Sequence, residues 1–151
     1  MERSFSMECA RFARVWLVLL AAALASCSTA PPEARLRERI AEMQTALETR
    51  ELAQFMDGVA EDFSSEAGLD RRGLHSYLRV QVLRHAEIGL TLGPIEVQMH
   101  GDRASAQFSV MATGGSGGLL PDSARPWTVR SDWRDGPDGW QVFRAQWQPA
   151  L

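Results

Sequence analysis

The chain has 151 residues, and its 19 acidic and 16 basic side chains give a formal net charge of −3. This length is enough for one domain with its own hydrophobic core. A nucleic-acid groove needs a clustered excess of cations, so the mildly acidic balance argues against nucleic acid as a partner.

The first distinctive segment is an unbroken apolar run over residues 15–25, VWLVLLAAALA. A membrane-spanning helix needs about 20 such residues, whereas the apolar region of a secretory signal has about 7 to 15 behind a basic flank. Arg11 and Arg14 supply that flank. The pattern therefore predicts an export signal rather than a membrane span.

The run ends in LASC, residues 24–27, which resembles the lipobox of bacterial lipoproteins. In that family the cysteine thiol accepts a diacylglycerol, and cleavage before the cysteine frees its amine for a further acyl chain. Two or more chains anchor a protein durably, while one binds only marginally. The resemblance implies a lipoprotein signal peptide over 1–26, lipid on Cys27 and a tether over 27–33. The alternative is an ordinary export signal that is cut after Ala25 or Ser26 and leaves Cys27 free.

Ser28 follows the cysteine, in place of the aspartate that often retains lipoproteins on the inner membrane. The resemblance therefore implies attachment to the outer membrane of the cell envelope, on its periplasmic side. The other cysteine, Cys9, would leave with the signal. The exported protein would then hold no disulfide and would depend on its hydrophobic core.

Helical periodicity begins at residue 33 and breaks once. Apolar residues spaced by four, three and four positions predict one helical face, and a phase change near residues 49–50 predicts a bend or a second helix running to about Val59. The residues of the first face are Leu36, Ile40, Met43 and Leu47.

Residues 60–70 show no regular pattern and are expected to be irregular, with Phe63 filling the core. Asp70 is placed to cap a further helix that ends near His85.

After residue 87 the apolar period becomes two, which predicts strands. Helices followed by an antiparallel meander indicate an α+β fold, with the N-terminal helices packed into the concave face of a curved antiparallel sheet. The glycine-rich segment 113–126 is expected to be a long hairpin loop; the alternative is a lid that folds Leu119 and Leu120 over a pocket mouth. The predicted strands are 88–92, 95–99, 104–112, 127–133 and 140–147.

The last predicted strand is apolar on both faces. Trp140 and Val142 fall on one face, and Phe143, Ala145 and Trp147 on the other. One face belongs to the core, and contiguous aromatics on the other usually mark an interface. A homodimer through the sheet is therefore one expected partner.

Several stretches resemble the NTF2-like superfamily, which includes nuclear transport factor 2, the SnoaL-like polyketide cyclases and ketosteroid isomerase. MQTALETRELAQFMDGVAEDF and DRRGLHSYL resemble its opening helices, and GDRASAQFSVMATG and DGWQVFRAQWQP resemble its central and final strands. The resemblance covers about residues 34–149 and implies an NTF2-like domain over 34–151, a cone of sheet around a pocket. It departs from the family between Phe63 and Asp70, where an early hairpin is nearly absent.

Catalytic candidates are few. Isomerases of this superfamily use an aspartate base in an apolar pocket, and the resemblance makes Asp132, Tyr77, Asp57 and His85 the candidates here. Asp132 alternates with Arg130 and Arg134, and this pattern favours a surface carboxylate in contact with solvent. Tyr77 lies on a mostly apolar predicted helix, which favours a core residue whose hydroxyl lies at the pocket rim.

The three histidines lack metal-ligand spacing, so no metal is expected. The glycine-rich loop matches neither a phosphate-binding motif nor a dinucleotide fingerprint, so no cofactor is expected.

The sequence thus favours a lipid-anchored envelope protein whose NTF2-like domain binds a small apolar ligand or a protein partner without catalysis. One alternative is a small cofactor-free isomerase or cyclase, and another is a structural homodimeric subunit. The residues expected at the pocket or interface are Phe55, Tyr77, Phe108, Trp127, Trp133, Trp140 and Trp147.

Overall fold

Two helices begin the part of the chain that the computed structural model describes, residues 30–115 and 123–150. Helix α1 spans Pro32–Glu48 and α2 spans Leu52–Asp57. Proline suits the first helical position because the N–H that it lacks would have no partner there. The predicted break is confirmed: Arg50, between the helices, takes a φ of 65°, which a helix cannot continue.

Some predictions fall outside the described residues. They are the signal peptide, Cys27 with the first part of the tether, and the tip of the glycine-rich loop with Leu119 and Leu120.

Helix α3 spans Arg71–Arg84 and begins as predicted. The Asp70 carboxylate accepts a hydrogen bond from the backbone N–H of Gly73 at 2.7 Å, which satisfies one of the free donors at the helix start. None of the described helices is both long and apolar enough to cross a bilayer.

Residues Val59–Ser65 form strand β1, so the prediction of an irregular segment over 60–70 is wrong for its first half. β1 pairs in parallel with the last strand of the chain, with Val59 opposite Val142. Glu61 and Asp62 interrupt any apolar alternation, so the local sequence carries no strand signal. Phe63 is 3% exposed, which confirms that it fills the core.

The remaining strands form an antiparallel meander. They are β2 (Glu87–Leu92), β3 (Glu96–His100), β4 (Arg103–Gly115), β5 (Ser123–Gly136) and β6 (Gly139–Pro149). The sheet order is β1-β6-β5-β4-β2, and β3 pairs with the first half of β4. β2 and β3 are two pieces of one edge, separated at Gly93-Pro94 as predicted, because proline cannot donate to a ladder.

Strand β6 contains a bulge that corrects the predicted division of its faces. Asp132 pairs with Arg144 and Trp133 with Val142, so Phe143 is an extra residue. An extra residue shifts the alternation of side chains by one. Ala145 and Trp147 therefore face the same side as Val142, and the prediction that they share a face with Phe143 is wrong.

Phe143 lies on the opposite, convex face beneath two arginines. The guanidinium carbons of Arg103 and Arg134 lie 5.6 and 5.4 Å from the centroid of its ring. The convex face of β6 is thus less apolar than predicted. A homodimer through the sheet stays a prediction.

The helices pack on the concave face of a curved, open sheet, which confirms the predicted α+β fold. Leu36 and Ile40 of α1 join the same core as Trp133 and Val142. Two polar contacts hold the start of α1 against the β5–β6 hairpin: Arg35 pairs with Asp135 at 2.6 Å, and the Trp140 indole N–H donates to the Pro32 carbonyl at 3.1 Å.

Candidate functional site

A cavity of about 720 Å³ lies between the helices and the concave face of the sheet. Small-molecule sites are typically about 300–1,000 Å³. Side chains from all three helices and from β1, β2, β4, β5 and β6 contribute to its lining. The cavity therefore has the size of a binding site.

The wall that the sheet contributes follows from two-residue periodicity. Alternate side chains of a strand face the same side, so Phe108 and Val110 of β4 and Trp127 and Val129 of β5 all point inward. The register places Phe108 opposite Val129 and Val110 opposite Trp127. The result is a continuous apolar and aromatic surface.

The deep end of the cavity is apolar, and the side-chain polar groups of Ser131 and Trp133 there have hydrogen-bond partners. Phe63, Trp133 and Val142 there are 3–5% exposed. The Ser131 hydroxyl accepts the Trp133 indole N–H at 2.8 Å and donates to the Ala106 carbonyl at 3.3 Å. These polar atoms are occupied with each other, so they stabilise the wall rather than offer a reactive group.

The open end of the cavity is polar and cationic. Tyr77, Arg84 and Arg125 line the cavity and are exposed to solvent. His85 is half-buried there against Gly114, where an added Cβ would lie 2.6 Å from the His85 Nδ1 atom. Only glycine allows the imidazole to lie this close to β4.

The lining residues that the structure describes include no Asp or Glu. Neither of the two predicted aspartates, Asp132 and Asp57, is a lining residue. The Asp132 carboxylate accepts a hydrogen bond from the Ser105 hydroxyl at 2.9 Å. Tyr77 does line the cavity, but His85 follows it by eight residues, a rise of about 12 Å along a helix. The structure thus brings Tyr77 and His85 to one cavity and leaves Asp132 outside it.

A solvent-exposed ion pair lies away from the cavity. The Arg134 guanidinium donates to the Asp62 carboxylate at 2.8 and 3.3 Å. This hydrogen bonding lowers the pKa of Asp62 and raises the pKa of Arg134. Neither residue lines the cavity, so the pair joins strands and takes no part in the site.

Six of the seven predicted pocket residues line the cavity. The exception is Trp140, which is 2% exposed and holds α1 through its bond to Pro32. The six are Phe55, Tyr77, Phe108, Trp127, Trp133 and Trp147.

Sequence reasoning missed the cationic rim. Arg125 lies two positions before Trp127 and so continues the inward alternation of β5, but the predicted strand began at Trp127. Arg84 carries no such signal, because only the packing of α3 on the sheet brings it to the cavity. Within residues 30–115 and 123–150, no cluster of three or more His, Cys, Asp or Glu is placed to hold a metal ion.

No protein-family model and no curated protein sequence matches the chain. Solved structures match its fold. An NTF2-like superfamily protein from Salmonella enterica serovar Typhimurium has 13% identity and a TM-score of 0.67, over 82% of this chain and 94% of that one. A provisionally named dehydratase of the NTF2-like family from Streptomyces avermitilis has 16% identity and a TM-score of 0.69, over 78% and 95%.

Bd1075 of Bdellovibrio bacteriovorus has 12% identity and a TM-score of 0.68 over 76% of this chain, but the match spans 40% of Bd1075. At such identities these structures establish the NTF2-like fold and leave the ligand open.

The hydrogen bond at the deep end gives a stability prediction. Ser131→Ala leaves the buried Trp133 N–H without a partner, so we expect it to lower the free energy of unfolding by about 1–3 kcal/mol. The matched control is Ser105→Ala on the half-exposed opposite face, where water replaces the hydroxyl and the loss stays below about 1 kcal/mol. Urea denaturation followed by tryptophan fluorescence measures both, and equal losses would contradict the assigned role of Ser131.

Proposed function

We propose that the domain binds a small apolar molecule in its cavity and performs no chemistry on it. The observation that carries this proposal is the composition of the lining: apolar and aromatic walls, a deep end with satisfied hydrogen bonds, and no carboxylate among the described lining residues. Such a surface gains free energy by removing apolar ligand area from water, at about 25 cal/mol per Å².

The tryptophans support binding over catalysis. Trp127, Trp133 and Trp147 line the cavity from two neighbouring strands. Flat aromatic rings bury a large area with little loss of side-chain entropy, and they accept apolar molecules of different shapes. General acid–base chemistry, in contrast, needs ionisable groups that converge on one point.

Filling the cavity gives a direct test of binding. Val110→Trp places an indole in the apolar wall, where it takes up space that an enclosed ligand would occupy. We therefore expect it to weaken binding of the neutral dye Nile red by about tenfold or more. Met111→Trp is the matched control, since Met111 is the next residue on β4 and is 40% exposed. Dye fluorescence measures affinity, and circular dichroism verifies that both variants are folded. Equal affinity in the two variants would contradict the cavity as the binding site.

A cofactor-free isomerase, cyclase or dehydratase is the second candidate. It is favoured by one observation: Tyr77 and His85, both capable of proton transfer, line the same cavity. It is disfavoured because no described carboxylate hydrogen-bonds to His85 to orient its ring.

The two candidates differ in the fate of the ligand. We expect an apolar molecule that co-purifies with the protein to stay a single, unchanged compound after prolonged incubation, as judged by chromatography with mass spectrometry. Conversion to a second compound that His85→Ala slows by about 100-fold or more would favour the enzyme.

In this proposal the domain is held at the periplasmic face of the outer membrane by lipid on Cys27. The support is the LASC motif directly after an apolar run of signal-peptide length. Anchoring at the membrane would keep the cavity close to a source of apolar molecules.

The lipid site has a matched control within the chain. We expect Cys27→Ala to abolish metabolic labelling with palmitate in the bacterial host, because no thiol remains at the lipobox. Cys9→Ala, within the proposed signal peptide, should leave labelling unchanged. Labelling that persists in Cys27→Ala would contradict the proposed anchor.

A further inference from the structure

The cavity changes from apolar to cationic along its length. On β5 the inward residues run from the buried Trp133 through Val129 to the exposed Arg125. Eight residues of strand span about 26 Å. A molecule aligned with this wall would meet apolar surface at one end and positive charge with solvent at the other.

Two elements bring arginines to the open end. Arg84 is the last residue of α3, and the next residue, His85, lies against Gly114 of β4. Gly114 pairs with Ser123, which is two positions from Arg125 on β5. The end of α3 and the start of β5 thus meet around the end of β4, and both arginines line the same cavity.

Within the described part of the chain, no carboxylate forms an ion pair with Arg84 or Arg125. Five other described arginines are held in ion pairs: Arg35, Arg37, Arg39, Arg71 and Arg134. Of the described arginines without an ion pair, only Arg84 and Arg125 line the cavity. Glu87 follows shortly after Arg84 in sequence, but it is exposed and does not line the cavity. Positive charge at the rim is therefore left uncompensated by the described lining residues.

We infer that the cavity takes a single-chain anionic amphiphile, with its apolar chain against the tryptophan wall and its anionic head between Arg84 and Arg125. This inference rests on the proposed function. Guanidinium groups suit such a head because their planar donors match carboxylate and phosphate oxygens. The charged end stays at the solvent-exposed rim, so the head keeps part of its hydration while the chain is buried.

The test compares ligands that share a chain and differ in charge. Dodecanoate, dodecyl phosphate, 1-dodecanol and dodecyltrimethylammonium each compete with Nile red for the full-length protein at neutral pH. We expect both anions to displace the dye at about tenfold lower concentration than dodecanol, because hydrogen bonds to charged groups are the stronger ones. The cationic amphiphile is expected to be the weakest competitor. The better of the two anions identifies the preferred head.

The arginine assignment is tested with the double variant Arg84→Gln/Arg125→Gln. We expect it to remove the preference for anions, so that dodecanoate and dodecanol displace the dye at similar concentrations. The matched control is Arg79→Gln/Arg130→Gln, which removes exposed arginines from the same helix and strand that do not line the cavity. This control should keep the preference for anions.

The outcomes separate the inference from the function on which it rests. Equal displacement by dodecanoate and dodecanol in the wild type would overturn the anionic head and leave apolar binding intact. A preference that survives in the Arg84/Arg125 double variant would overturn the assigned residues. If Nile red does not bind and none of the four amphiphiles perturbs tryptophan fluorescence, the proposed function itself fails.

Discussion

The extra residue in β6 is the local constraint on which the cavity depends. Phe143 has no partner in the ladder between β5 and β6, so the strand bulges and its alternation shifts. A bulge also bends its strand and increases the local twist. Val142, Ala145 and Trp147 consequently all face the cavity. Without the bulge, the last two would point to the convex side and the cavity would lose Trp147 from its lining.

The rest of the fold is arranged around this strand. β6 pairs with β5 on one side and with β1 on the other, and its Trp140 holds the first turn of α1. The helices pack against one part of the concave face, and the cavity lies between the helices and the rest of that face. Close packing is the rule in protein interiors, so a lined space of this size supports the proposal that the domain binds a ligand there.

The polar groups of the cavity are buried and hydrogen-bonded to each other at its deep end and exposed to solvent at its open end. At the buried end, Ser131 and Trp133 satisfy each other, because an unpaired polar group there would be costly. At the open end, Arg84 and Arg125 remain hydrated and available. This separation suits a molecule with an apolar body and a charged end, and the lining residues that the structure describes include no carboxylate.

Local interactions made much of the fold predictable from sequence. The helix break at Arg50, the Asp70 cap and the Gly93-Pro94 interruption each depend on residues a few positions apart in sequence, and each was predicted. The inward aromatic residues Phe108, Trp127 and Trp133 follow from two-residue periodicity. The tertiary structure alone decided the strand at Val59–Ser65, the bulge at Phe143 and the placement of Arg84 and Arg125 along one cavity. Each of these results from pairing or packing between residues distant in sequence, which no short window of the chain contains.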